Sequence, residues 1–227
     1  MCTRNHTWDR SAIVMSYSDK PDTNADTLPR LDLVIDNSLI PRFFTLLQQG
    51  VMLRTRVGCS ILVFLREEIG AGQGTIDKIQ SIFLDGSPVD DLNAATIKDG
   101  SVLALSAAMP GLVGATLRRG GLLSSFRNTI TYHEDSVHCD SGKGFVQIKL
   151  FNLLMDELGP CLLKKGVYVR SSTLITFLSE QSPDFWQGCR RALLDGNAVG
   201  PETLKGNARL SCHERLFLSV SILDGRA

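Results

Sequence analysis

The apolar positions of this chain follow one order of strand and helix spacings, and that order occurs twice. A strand at 33–37 leads to a short helical segment at 40–49, which stops at Gly50, a residue type that tolerates a left-handed C-cap. A second strand follows at 51–57. Next comes an amphipathic helix at 61–69, where Ile61, Phe64, Leu65 and Ile69 share one face at helical spacing and Ser60 is placed to cap the first turn. A third strand runs into the Asp85-Gly86 turn, and a last strand closes the pattern at 102–107. The second pass has a strand at 148–152, a helix at 155–165 stopping at Gly166, and a strand at 167–171. A helix capped by Thr173, the Asp195-Gly196 turn and a last strand at 216–222 complete it.

The two passes also match in residues. LLQQGVMLR at 46–54 answers LLKKGVYVR at 162–170, and ILVFL at 61–65 answers LITFL at 174–178. FLDGSPV at 83–89 answers LLDGNAV at 193–199, and VLALS at 102–106 answers RLFLS at 215–219. The offset drifts by a few residues between matched segments, which is how loops differ between two copies of one fold. The expectation is an α+β protein of two tandem modules, 31–112 and 144–223, each a mixed sheet with a helix packed on one face. The polar, proline-containing stretch SYSDKPDTNADTLP makes 1–30 an expected mobile arm, and 113–143 an expected Gly/Arg-containing connector.

Composition narrows the classes. At 43% hydrophobic and 21% charged residues, the chain of 227 has the make-up of an ordinary globular protein. Lys plus Arg equals Asp plus Glu at 24 each, so no global field favours nucleic acid or an anionic membrane. The longest uncharged stretch, 100–117, carries serines, a proline and glycines, and reads as a strand plus a loop. The apolar run at 12–15 is too short for a signal-peptide core, so a cytoplasmic location is expected. Cys2, Cys59, Cys139, Cys161, Cys189 and Cys212 form no C-x-x-C pair, which points to free thiols.

Residues 57–111, with Ser60 opening the helix, Asp85-Gly86 closing the third strand and Asp99-Gly100 leading into the last one, resemble the β-grasp (ubiquitin-like) sulfur-carrier family. The likeness is to the molybdopterin-synthase small subunit and the thiamine sulfur carrier, here as a tandem duplication. It implies a non-enzymatic protein that works by protein–protein binding without a cofactor, with an adenylating, ubiquitin-activating-like enzyme among its possible partners. In that family a C-terminal Gly-Gly threads into the partner's active site, where only residues without side chains fit. GATLRRGG at 114–121 is similar to such a tail, but Gly120-Gly121 is internal and the chain closes on SILDGRA. The intact chain is therefore expected to bind without carrier chemistry.

The connector supplies the candidate contact residues, Arg118, Arg119, Gly120, Gly121 and Arg127. Glycines make it an inter-module loop, and its arginines suit a carboxylate or phosphate on a partner. Two alternatives stand beside this reading. One is a pro-form carrier released by cleavage after Gly121. The other is a metal or small-anion module, for which HEDSVHCD at 133–140 gathers His133, Asp135, His138, Cys139 and Asp140 without zinc-finger spacing. GAGQG at 70–74 follows a helix and SGKG at 141–144 lacks the flanking residues, so neither is a phosphate loop. Cys59 beside Ser60, and Cys212 beside His213, are expected to point to opposite faces of strands. No constellation reads as a catalytic site.

Overall fold

Alternation of buried and open side chains builds the first strand. β1 (Arg30–Ile35) buries Leu31, Leu33 and Ile35 and turns Arg30, Asp32 and Val34 to the other face, the period of two that a sheet covered on one side requires. A computed structural model gives the architecture for residues 28–122, 127, 130–132, 142–205 and 208–223. Residues 1–27 of the expected arm lie outside the described residues. After β1, a 3₁₀ stretch at Asn37–Phe43 continues into α1 (Phe44–Gln49), and β2 (Val51–Arg56) follows. The short β3 (Cys59–Ser60) ends at α2 (Ile61–Val63), whose winding widens into a π-helix over Phe64–Ile69. Ser60 accepts from the Val63 N–H at 3.4 Å, the cap that the sequence suggested, and Gly70 (φ 82°) ends the helix in the left-handed region.

The first half then continues through α3 (Gln73–Lys78), β4 (Ser81–Leu84), β5 (Ser87–Pro88), β6 (Thr96–Ile97) and β7 (Val102–Ser106), and α4 (Gly111–Leu117) lies in the connector. The second half opens with β8 (Lys143–Phe151), α5 (Leu154–Lys165), β9 (Val167–Arg170), α6 (Ser171–Ser179) and α7 (Pro183–Gly188). It ends with β10 (Cys189–Leu194), β11 (Asn197–Ala198), α8 (Pro201–Lys205), α9 (Ala208–Ser211) and β12 (Arg215–Ile222).

The α+β class holds, and the strands assemble into one mixed ten-stranded sheet in the order β11-β10-β1-β12-β9-β2-β8-β7-β4-β5. β3 and β6 pair separately. The seam between the lobes lies at β9 and β2, where Met52 stands opposite Tyr168. On either side of it the halves have exchanged their first strands. β1 runs parallel to β12 and antiparallel to β10, both from the second half. Reciprocally, β8 runs antiparallel to β2 and parallel to β7, both from the first half. The expected limits 31–112 and 144–223 follow the chain, whereas in space β1 lies among strands of the second span and β8 among strands of the first.

The core follows the exchange. Phe43, from the first half, packs against Phe177 and Phe185 of the second at ring distances of 5.0 and 5.9 Å. In return α5 lies against the first half: Gly159 leaves room for Leu47, whose Cδ1 would stand 2.8 Å from an added Cβ. Lys78 pairs with Glu157, and the Cys161 thiol approaches the Ile69 carbonyl at 3.4 Å.

Three local expectations change. Gly50 and Gly166 have positive φ, but with ψ near 129° and 139° they are extended, not left-handed helical. Each passes beneath a neighbouring side chain, so an added Cβ would meet Gln147 Nε2 at 2.5 Å or Phe217 Cζ at 2.0 Å. Thr173 caps nothing, because α6 starts at Ser171 directly after β9, where the Ser171 N–H bonds the Glu214 carbonyl at 2.9 Å. β8 begins at Lys143, ahead of the expected 148, because Gly144 and Val146 already alternate inward with Ile148 and Leu150. Among the described residues no helix is long and apolar enough to cross a membrane.

Candidate partner-binding surface on the connector

Leaving β7, the chain turns at Pro110 and Gly111 (φ 73°) into α4. Gly114 lets the helix lie flat on the preceding turn, since a Cβ there would fall 1.7 Å from the Met109 carbonyl oxygen. The connector was expected to be a plain loop, and its first part is instead a docked helix.

The sequence RRGG is held against the first half. Arg118 donates from Nε and Nη2 to Gln80 Oε1 at 3.0 and 2.6 Å, and the Arg119 N–H bonds the Gln80 carbonyl at 2.7 Å. The Gly120 N–H reaches Asp90 Oδ1 at 3.1 Å, and the Gly121 N–H returns to the Arg118 carbonyl. Arg127, 3% exposed, is the pin beneath them. Its guanidinium donates to Asp90 Oδ1 at 2.6 Å, the Thr116 carbonyl at 2.7 Å, Thr131 Oγ1 at 3.1 Å and the Arg118 carbonyl at 3.3 Å. The structure thus brings all five sequence-nominated residues together but gives Arg127 to the interior, so its charge is not offered to a partner. Arg118 and Gly120 are exposed, and Arg119 and Gly121 are half-buried.

What the surface does offer is apolar. Leu112 is 73% exposed, Val113 63% and Leu122 100%, with Met109 beside them. Met109 and Pro110 also roof a pocket of about 280 Å³ against the sheet, lined by Phe83, Ala104, Leu105 and Phe151. The Asn152 side chain (φ 57°) closes one side, donating to Ser106 Oγ at 3.1 Å and to the Ala108 carbonyl. Exposed apolar side chains on a fixed helix, next to an apolar pocket, form the kind of surface that marks a binding site. Sequence reasoning chose this segment for its arginines and glycines and missed Leu112 and Val113, although two adjacent apolar residues in a polar connector were the available signal.

Cys212 and His213 do not point apart: they lie in the bend after α9, with Sγ 2.9 Å from Nδ1. Burial pushes the Cys59 and Cys189 thiols up from their ordinary value. No group of His, Cys, Asp and Glu able to hold a metal ion occurs among the described residues, and 133–140 lies outside them. Comparison with family models, curated proteins and solved structures returns no match.

Proposed function

We propose that this chain is a non-enzymatic, ubiquitin-like protein made of two β-grasp-type units with exchanged first strands, and that it acts by binding a protein partner through the α4 surface. The observation carrying this reading is the pair Leu112 and Val113, held in solvent on a helix that Arg127, Asp90 and Gln80 fix in place beside the Met109 pocket. A rigid apolar helix face loses little conformational entropy on docking, which favours association. Carrier chemistry in the intact chain has no terminus at Gly121 to use. The Leu112→Asp/Val113→Asp double variant tests the reading. Any partner recovered from the native cell by cross-linking should be lost with the variant while thermal stability is unchanged, and full retention of every partner would refute it.

A further inference from the structure

The sheet face that Met109 and Pro110 cover over β4, β7 and the end of β8 carries its own chemistry beyond them. Alternation with the buried Leu53, Val146, Val169 and Leu218 sets Arg54, Phe145, Lys149, Tyr168, Arg170, Phe217 and Arg30 on this face. Three half-buried rings form a strip across the seam. Phe145 meets Tyr168 at 5.3 Å, Tyr168 meets Phe217 at 5.2 Å, and the Arg30 guanidinium lies 4.8 Å from the Phe217 ring centre.

Cations border the strip at both ends. Arg56 stands directly opposite Lys143, and Arg170 directly opposite Arg215. Like charges paired across strands destabilise a sheet, so holding two such pairs on one face invites an anion. Internal carboxylates answer part of this charge: Asp32 pairs with Arg30, Glu67 and Glu68 approach Arg56, and Glu214 approaches Arg215, which is itself buried. Arg54, Lys143, Lys149 and Arg170 have no carboxylate within 4.0 Å among the described residues. At one end Arg54, Arg56 and Lys143, together with Thr55 and Glu68, line a groove of about 630 Å³. Six residues of register separate the two cation pairs, about 20 Å at roughly 3.3 Å per residue. The even charge balance of the whole chain does not hold on this face.

We propose that this open face binds single-stranded nucleic acid, the phosphates lying on Arg54, Lys143, Lys149 and Arg170 and the bases contacting the Phe145–Tyr168–Phe217 strip. The ligand must be linear, polyanionic and able to present flat aromatic groups between its charges. Single strands meet all three conditions because their bases are free to stack on aromatic side chains, whereas duplex bases are not. An acidic peptide meets only the first two.

Fluorescence anisotropy of the full chain with a fluorescein-labelled ten-nucleotide RNA of mixed sequence tests this directly. Four phosphate contacts predict affinity falling on the order of 50-fold between 50 and 200 mM salt. Arg54→Glu and Arg170→Glu, both on exposed side chains, should each weaken binding about tenfold or more. Tyr168→Leu should weaken RNA binding roughly fivefold or more while leaving inorganic polyphosphate binding unchanged. Absence of RNA binding at 50 mM salt overturns the proposal. Equal competition by polyglutamate, or Tyr168→Leu without effect in a variant of normal thermal stability, also overturns it and assigns the face to an acidic peptide or any polyanion.

Discussion

In the first lobe Asp85, at the Asp-Gly turn between β4 and β5, grips the start of β7: its carboxylate accepts from the Val102 N–H at 2.7 Å and its own N–H bonds the Val102 carbonyl. In the second lobe Asp195 makes the same two bonds to Arg30, at the start of β1. Both turns have positive φ at both central residues, 52° and 84° in one and 49° and 82° in the other, as a two-residue hairpin requires. The same local device thus holds the last strand of its own half in one lobe and the first strand of the other half in the second. The central parallel pair is accordingly placed in opposite order, β8 then β7 outward from the seam on one side, β12 then β1 on the other. Turn chemistry is local and repeats with the sequence, while the identity of the strand beside it is decided by packing across the whole sheet.

The largest effect should come from β1. Leu33→Ala removes a side chain that is 1% exposed and should cost about 2–5 kcal/mol. Hydrogen exchange should then rise first in β10 and β12, the strands that flank it, and not in β2. Acceleration confined to β2 and β7 would mean that the first strand stays in its own half.

Next come the paired glycines, where the lobes differ by one side chain. Gly166→Ala sets a Cβ against the Phe217 ring, whereas Gly50→Ala meets the far end of the flexible Gln147. Both variants carry positive-φ strain of about 1 kcal/mol, and Gly166→Ala should lose roughly 1–3 kcal/mol more through overpacking. Urea denaturation of the two variants gives the difference, and equal losses would break the assignment of Phe217 over Gly166.

A smaller effect should appear in acid. The hydrogen bond from Arg190 holds the Asp36 carboxyl below its ordinary value, and hydrogen bonds from Lys78 and Thr75 do the same for Glu157. Folded values below unfolded ones give stability that is present above the unfolded range near pH 4 and is lost as pH falls through the folded values. Both carboxylates join residues of different halves. The fall in melting temperature from pH 6 to pH 3 should therefore shrink in Asp36→Asn and Glu157→Gln, and an unchanged fall would remove these latches from the account.

The smallest effect concerns the thiols. Iodoacetamide at pH 7 should label the exposed Cys161 and Cys212 ahead of Cys59 and Cys189, whose thiols burial pushes up. Raising the pH should narrow the gap, and peptide mapping that finds Cys189 labelled first would contradict its half-buried position at the start of β10.

The sequence carried the local half of this structure. Ser60, the two Asp-Gly turns and the buried face of Ile61, Phe64, Leu65 and Ile69 form where spacing and turn residues place them, because each is settled by contacts within a few positions, whereas β1 and β8 begin three and five residues ahead of the expected 33 and 148. The exchange of first strands was not legible. Leu31, Leu33 and Ile35 fit beside β7 or beside β12 equally well by alternation alone, and the choice depends on a partner more than 180 residues away. The connector shows the same division. Its glycines and arginines singled out the segment, but only the fold reveals that Arg127 points inward to Asp90 and that Leu112 and Val113 face solvent.

The strand exchange is tested most directly by disulfide trapping in a background lacking the six natural cysteines. Asp32 and Leu193 are direct partners across β1 and β10 on the open face. Asp32→Cys with Leu193→Cys should close an intramolecular disulfide under mild oxidation, while Asp32→Cys with Ala104→Cys on β7 should not. A disulfide to position 104 and none to position 193 would place β1 in its own half and contradict the account.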